Sequence, residues 1–99
     1  MPEPQNVDVK DITPSAAVVT YTIPSSQVTV KEVELEINET ESGTVRRIVR
    51  PALENGSVAI DDLKSGNVYT VRMRAIASDG RQSDLTSARA FTTSKFESL

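Results

Sequence analysis

Apolar and polar residues alternate with a period of two along most of the chain. In the run 28–37, the aliphatic residues Val33, Leu35 and Ile37 hold odd positions, and the glutamates at 32, 34 and 36 hold even positions. Residues 68–77 repeat the pattern, with Tyr69, Val71 and Met73 on one side. Because successive side chains of a strand point to opposite faces, this period predicts strands with one buried face. No stretch combines a helical period with capping residues at its ends.

Seven such runs are predicted as strands, separated by turn-rich segments such as 38–43, 51–56 and 78–83. Only one face of each run is apolar, which is typical of antiparallel sheets packed face to face. The pattern therefore predicts an all-β, seven-stranded, antiparallel, immunoglobulin-like sandwich. The predicted strands are 6–13, 16–23, 28–37, 44–50, 57–61, 68–77 and 88–92.

The first run contains an irregularity in its apolar positions. Val7 and Val9 are odd-numbered, whereas Ile12 is even-numbered. An extra residue in a strand shifts the side chains that follow it to the other face. We therefore expect a bulge near Lys10 and Asp11.

A chain of 99 residues has room for one hydrophobic core. Its ends are polar and lack a clear period, so residues 1–5 are predicted as a linker and 94–99 as a linker or tail. Residues 6–93 then form the sandwich domain. No run reaches the ~18–20 apolar residues of a membrane span, and the start lacks a signal-peptide pattern.

The composition excludes several classes of function. The sequence contains neither Cys nor His, which removes disulfides, thiolate metal sites and the usual general base. The net charge of −3 argues against binding to nucleic acid or to anionic membranes. We therefore expect a non-enzymatic domain with no cofactor and no bound metal.

Residues 60–75 carry the most specific spacing in the chain. Leu63 is followed by Gly66 and then by Tyr69, which opens an alternating strand that continues through Val71. This segment resembles the fibronectin type III family, in which the same spacing builds a tyrosine corner. The resemblance implies that the Tyr69 ring closes one end of the sandwich and that its hydroxyl bonds to the chain a few residues upstream.

The resemblance extends from about residue 4 to residue 93, with two departures from the family pattern. Ser65 stands where the family usually has Pro, and Tyr21 stands where it usually has Trp. A smaller ring at position 21 implies local repacking, and its hydroxyl needs a hydrogen-bond partner.

The topology implied by the resemblance pairs the third strand with the sixth and places the fourth outside the third. The glutamates at 32, 34 and 36 would then share a solvent face with Arg72 and Arg74. A ladder of ion pairs is the ordinary interpretation of such a face. A sharper alternative is that Arg46, Arg47 and Arg50 form a basic edge that binds a sulfated sugar or an acidic protein.

Two further kinds of motif fall in predicted loops. Asn38 and Asn55 each begin a glycosylation acceptor sequence, which gives weak support for secretion. The order Asp79-Gly80-Arg81 is the reverse of the integrin-binding motif of some family members, so we interpret it as a turn. The scattered acidic residues match neither calcium-loop nor glycosidase spacing.

The resemblance implies a non-catalytic module of a multidomain extracellular or cell-surface glycoprotein, serving adhesion, receptor architecture or protein binding. Its partners would be the neighbouring domains of the same chain and a protein or sulfated-sugar ligand, and the isolated domain would be a monomer. One alternative is a passive spacer in a secreted bacterial carbohydrate-active enzyme. Another is an intracellular module of the muscle type.

Overall fold

The computed structural model describes residues 3–24 and 29–95, and within these ranges it contains seven strands and no helix. This confirms the predicted all-β class and the number of strands. The predicted start of the third strand at position 28, and parts of both predicted linkers, lie outside the described residues. The strands are β1 (Gln5–Lys10), β2 (Ala17–Thr22), β3 (Val30–Glu39), β4 (Val45–Pro51), β5 (Asn55–Ile60), β6 (Val68–Ala77) and β7 (Arg89–Thr92).

The strands form two antiparallel sheets that pack as a sandwich. One sheet has the order β1-β2-β5, and the other has the order β4-β3-β6-β7. Strand β3 pairs with both β4 and β6 in antiparallel registers. The predicted antiparallel sandwich is therefore confirmed.

The core lies between the sheets and follows the alternation of the sequence. Odd positions of β2, of β3 from Val33 onward and of β6 are buried, whereas β5 buries its even positions Val58 and Ile60. The rings of Tyr69 and Phe91 stack with centroids 5.6 Å apart. Burial of each large side chain contributes about 1.5–3 kcal/mol. The most deeply buried large side chains are Val19, Val33, Leu35, Ile37, Ile60, Val71 and Met73.

The bulge in the first strand lies earlier than expected. The pairing of β1 with β2 shifts between Gln5 and Asp8, and Asn6 has a φ of 54°. Asp11, with a φ of 51°, instead lies just beyond the end of the strand. Ile12 follows this bend and is 36% exposed, so it lies outside the core.

Two strands extend by two residues each into segments that were predicted as turns. Strand β3 continues through Glu39, because Asn38 pairs with Val45 and Glu39 pairs with Tyr69. Strand β5 begins at Asn55, within the segment predicted as a loop. In both cases a partner strand supplies backbone hydrogen bonds to residues whose own β-propensity is low.

The described chain begins and ends at opposite poles of the sandwich. Gln5 lies beside Thr22 at one end of β1, and β1 runs from there toward the other end. Beyond that other end, the carbonyl of Thr13 accepts a hydrogen bond of 3.2 Å from the N–H of Ser94, which follows β7. We call the end at Gln5 the N-terminal pole and the end at Ser94 the C-terminal pole.

Candidate interaction surfaces

The residues singled out for a tyrosine corner meet at the C-terminal pole. Leu63 and Tyr69 are buried, with 6% and 4% of their surfaces exposed. The backbone N–H of Lys64 donates a hydrogen bond of 2.7 Å to the hydroxyl oxygen of Tyr69. Gly66 has a φ of 66°, a left-handed conformation that glycine adopts without steric cost. The segment between Leu63 and Tyr69 can therefore turn tightly enough to place Lys64 above the ring.

Thr93 holds this turn to the end of the last strand, a role that the sequence analysis missed. Thr93 is buried, and its Oγ1 donates a hydrogen bond of 2.5 Å to the carbonyl oxygen of Lys64. The same oxygen accepts a bond of 3.0 Å from the N–H of Asn67. A threonine at a strand end has many ordinary roles, so only the position of Lys64 and Asn67 in space identifies this one.

Glu39 is a buried carboxylate at the same pole. Its Oε1 lies 3.5 Å from the Lys64 ammonium and accepts a bond of 3.2 Å from Nδ2 of Asn67. A buried charge needs such partners to offset the loss of water. The sequence analysis placed position 39 in the turn-rich segment 38–43, whereas the extension of β3 brings Glu39 inward. Glu39 therefore belongs to the framework of the corner.

The outer face of the four-stranded sheet carries the glutamates of β3, as the topology implied. Glu34 lies opposite Arg74, and Glu36 lies between Arg47 and Arg72. The guanidinium of Arg47 is 3.6 Å from Glu34 and 3.5 Å from Glu36. Among the described residues no carboxylate lies within 4.0 Å of Arg72 or Arg74, so one arginine bridges two glutamates instead of a full ladder.

The three arginines of β4 do not form one cluster. Arg46 and Arg50 lie opposite the buried residues Ile37 and Val33, whereas Arg47 lies on the outer face with the glutamates. Arg46 donates to the carbonyl oxygen of Asp61 at 2.8 Å. The alternation of side chains along a strand separates position 47 from positions 46 and 50. The predicted basic edge is thus divided between two faces.

The two glycosylation acceptor sites lie in strands and not in the expected loops. Asn38 is half-buried near the end of the central strand β3, between Val45 and Thr70. Asn55 is exposed at the start of β5, where its Oδ1 accepts a weak bond of 3.4 Å from Thr22. The two asparagine side chains therefore differ in their accessibility to an enzyme that attaches a glycan.

The turn after β6 has the geometry of an ordinary tight turn. The N–H of Gly80 donates to the carbonyl of Ala77 at 2.9 Å, and Gly80 has a φ of 91°. The Asp79 carboxylate accepts bonds from the backbone N–H and the guanidinium of Arg81, at 3.0 and 2.7 Å. Chiefly because of that backbone N–H, the pKa of Asp79 lies below its ordinary value.

Tyr21 and Gly56 form a close contact at the N-terminal pole that the sequence analysis missed. They are directly opposite in the β2–β5 pairing, and a Cβ added to Gly56 would overlap the Tyr21 ring. The Tyr21 hydroxyl accepts a bond of 3.2 Å from the N–H of Leu53. The hydroxyl at position 21 thus has its hydrogen-bond partner in the loop before β5.

Two further kinds of feature are absent from the residues that the structure describes. Residues 3–24 and 29–95 include no group of three or more Asp or Glu side chains arranged to hold a metal ion. Over those ranges there is also no helix long and apolar enough to cross a membrane. Many of the polar side chains described above bind to the protein's own backbone, and the surfaces that remain are candidates for binding.

The chain was compared with known families, curated proteins and solved structures. The family model of the fibronectin type III domain matches residues 2–92. Curated protein sequences gave no significant match. Many solved structures share the fold. The three described next are less than 25% identical in sequence to this chain, so their similarity concerns the fold alone.

Three of these structures illustrate the similarity. One, described as a myokine structure, has 24% identity and a TM-score of 0.83, with 95% of this chain and 98% of that chain covered. The chicken contactin 1 FN1–FN3 domains have 19% identity and a TM-score of 0.80, covering 93% of this chain and 32% of that chain. Domains A168–A170 of titin have 18% identity and a TM-score of 0.80, covering 95% and 32%. In the last two structures the match is therefore one domain among several.

Proposed function

Because the chain belongs to the fibronectin type III family, we propose that it is a non-catalytic module of a multidomain extracellular or cell-surface protein. Its role there is adhesion, receptor architecture or protein binding. Domains of this family are found in multidomain proteins such as contactin and titin. The family thus supports a modular role, and the extracellular setting is tested by mapping glycans on the parent protein.

The observation that carries the proposal is the placement of the two chain ends. Gln5 lies at the N-terminal pole, and Ser94 lies at the C-terminal pole beside Thr13. A domain with its ends at opposite poles can be joined to neighbours on both sides without rearranging its sheets. This arrangement suits a unit in a string of domains.

The use of the polar side chains supports a non-catalytic role. Hydroxyl groups in the sandwich bind backbone atoms: Ser83 accepts a bond of 2.8 Å from the N–H of Ala75, and Thr86 accepts one of 3.0 Å from Met73. These side chains hold the connection between β6 and β7 against the sheet. A nucleophile would instead need a neighbouring base, and the sequence contains no His.

The acceptor sites support the extracellular part of the proposal. Asn55 is exposed and begins an edge strand, so a glycan attached there can extend into solvent. Asn38 is half-buried between two partner strands, where a glycan would press on the sheet. We therefore expect glycosylation at Asn55 and an unmodified Asn38.

The test is to recover the intact parent protein with an antibody to this domain and to map its peptides by mass spectrometry. The digest is compared with and without a glycosidase that marks the released asparagine. Flanking sandwich domains together with a glycan on Asn55 support the proposal, and unmodified Asn38 is the internal control. Unmodified Asn55 beside a glycoside hydrolase domain would indicate a spacer in a secreted bacterial enzyme, and the adhesion or receptor role would be wrong.

A further inference from the structure

The two sheets expose four edge strands, and three of them carry features that discourage pairing with another chain. Strand β1 is interrupted by its register shift and ends in Lys10. Strand β4 contains three arginines and ends in Pro51. Strand β7 is only four residues long. Bulges, charges, proline and short length are the usual ways in which natural sheets protect their edges.

The remaining edge strand, β5, has none of these features. Its residues, Asn55–Ile60, include no charge and no proline. All six residues pair with β2 without a register shift. The strand is therefore regular along its whole length, and its outer edge is a suitable template for another strand.

The hydrogen bonding of β5 shows which backbone groups point outward. Just before β5, the N–H of Ile23 donates to the carbonyl of Glu54 at 2.9 Å, in the same register as the β2–β5 pairs. In an antiparallel pair the bonded positions alternate, so even-numbered residues of β5 bond to β2. The N–H and C=O groups of Asn55, Ser57 and Ala59 are consequently directed to the free edge.

A groove of about 390 Å³ lies beside this edge. Pro51 and Leu53 supply apolar surface to it, and Leu53 is 61% exposed. Arg50 also lines the groove, and its Nη1 donates to the carbonyl of Val49 at 2.9 Å. Among residues 3–24 and 29–95 no carboxylate lies within 4.0 Å of the Arg50 guanidinium, so its charge is available to a partner.

We propose that the free edge of β5 is a docking site for an extended peptide segment that carries both apolar and acidic side chains. The peptide adds a fourth strand to the β1-β2-β5 sheet and bonds to the backbone of Ser57 and Ala59. An apolar side chain packs on Leu53 and Pro51, and a carboxylate pairs with Arg50. This site goes beyond the modular role and does not depend on whether the parent protein is extracellular.

Local charge favours such a peptide over a second copy of the chain. Pairing of β5 with β5 of another copy would bring two Arg50 side chains to the same short stretch of the new sheet. Like charges at that distance oppose association. A peptide with glutamates at alternate positions instead meets Arg50 with the opposite charge.

The test uses the full chain labelled with nitrogen-15 and a fluorescein-labelled peptide of sequence TVEVEVT, which alternates valine with glutamate. Amide exchange and chemical shifts are followed by NMR as the peptide is added, and affinity is measured by fluorescence polarisation. We expect the amides of Ser57 and Ala59 to exchange about tenfold more slowly at saturation, because they become hydrogen-bonded. A peptide in which lysine replaces glutamate, TVKVKVT, should bind at least about tenfold more weakly.

Two variants separate the backbone contribution from the charge. Ala59→Pro removes an outward N–H while leaving the bonds to β2 in place, since proline is tolerated at a free edge. We expect it to abolish binding, whereas the control Ala59→Thr, which keeps the N–H, should bind as the native chain does. Arg50→Glu lies outside β5 and should weaken TVEVEVT and strengthen TVKVKVT, which remains informative if Ala59→Pro fails to fold.

Three results would overturn the proposal. The first is the absence of saturable shifts at a peptide concentration of about 1 mM, the weak limit of specific binding. The second is equal binding by a folded Ala59→Pro variant, or shifts centred on another edge strand. The third is protection of Ser57 and Ala59 without peptide in a chain that sediments as a dimer, which would identify a second copy as the occupant.

Discussion

Each of the two tyrosines closes one pole of the sandwich with a buried ring and a bonded hydroxyl. Tyr69 accepts a bond of 2.7 Å from Lys64 at the C-terminal pole, and Tyr21 accepts one of 3.2 Å from Leu53 at the N-terminal pole. In both cases the ring contributes apolar area to the core and the hydroxyl satisfies a backbone N–H. The two bonds differ in length.

Tyr69→Phe tests the contribution of the shorter bond. Removal of the hydroxyl leaves the N–H of Lys64 without its acceptor, so we expect a loss of about 1–2 kcal/mol in the free energy of unfolding. The measurement is urea denaturation at neutral pH. Tyr21→Phe is the matched control and should cost less, because its hydrogen bond is longer, 3.2 Å against 2.7 Å. Equal losses in the free energy of unfolding would contradict a larger contribution from the Tyr69 hydrogen bond.

Gly56→Ala tests the contact between Gly56 and the Tyr21 ring. The added methyl group would overlap the ring, so either the ring or strand β5 must move. We expect a loss of about 1–3 kcal/mol in the free energy of unfolding, typical of overpacking. The double variant Gly56→Ala with Tyr21→Val should be more stable than the sum of the single effects predicts, by about 0.5 kcal/mol or more. Simple additivity would contradict the contact.

At the scale of the strands, β3 organises the larger sheet. It pairs on one side with β4 and on the other with β6. From Glu32 to Ile37 it buries its odd positions and presents glutamates at its even positions. On the outer face a single cation, Arg47, bridges two of these glutamates. Arg47 is 63% exposed, so the free energy of the pairs is reduced by water and by salt.

Glu34→Lys tests this arrangement. The new ammonium would lie beside Arg47 and opposite Arg74, so attraction becomes repulsion. We expect a loss of about 0.5–1 kcal/mol in the free energy of unfolding at low salt. At about 1 M salt, where the screening length is about 3 Å, the loss should shrink. Glu32→Lys is the control, because Glu32 lies opposite Pro51 and Ile76 and should show little salt dependence. A salt-independent loss for Glu34→Lys would show that packing and not charge is responsible.

For the whole molecule, the placement of the chain ends determines how copies or neighbours can be joined. The described chain begins at the pole of Gln5 and leaves at the pole of Ser94. Both ends are bonded to the sandwich, since Gln5 pairs with Thr22 and Ser94 bonds to Thr13. Domains fused to these two ends would thus be directed away from each other along the long axis.

A tandem of two copies joined directly tests this geometry. We expect an extended particle whose longest dimension is close to twice that of a single copy, measured by small-angle X-ray scattering. A second tandem with a long Gly/Ser linker is the control and should give a broad distribution of dimensions, since such linkers behave as flexible coils. A compact, side-by-side particle from the direct fusion would contradict the placement of the ends.

Much of the fold and part of the site follow from the sequence. The period of two in β3 and β6 determined which face of each strand is buried, because it depends only on neighbouring positions. The spacing from Leu63 to Tyr69 is likewise local, and it indicated the corner. The separation of Arg47 from Arg46 and Arg50 also follows from the sequence, because odd and even positions of a strand lie on opposite faces. The three arginines of this strand had nevertheless suggested a single patch.

Only the tertiary structure decided what lies across from each residue. Glu39 is buried because it meets Lys64 and Asn67, and Gly56 belongs to a strand because it lies opposite Tyr21. These partners are far apart in the chain, and the register that brings them together depends on the whole sheet. The uncharged edge of β5 is also visible in the sequence, but its exposure depends on the strand order. Alternation along the chain specifies faces, whereas pairing across the sheet specifies neighbours.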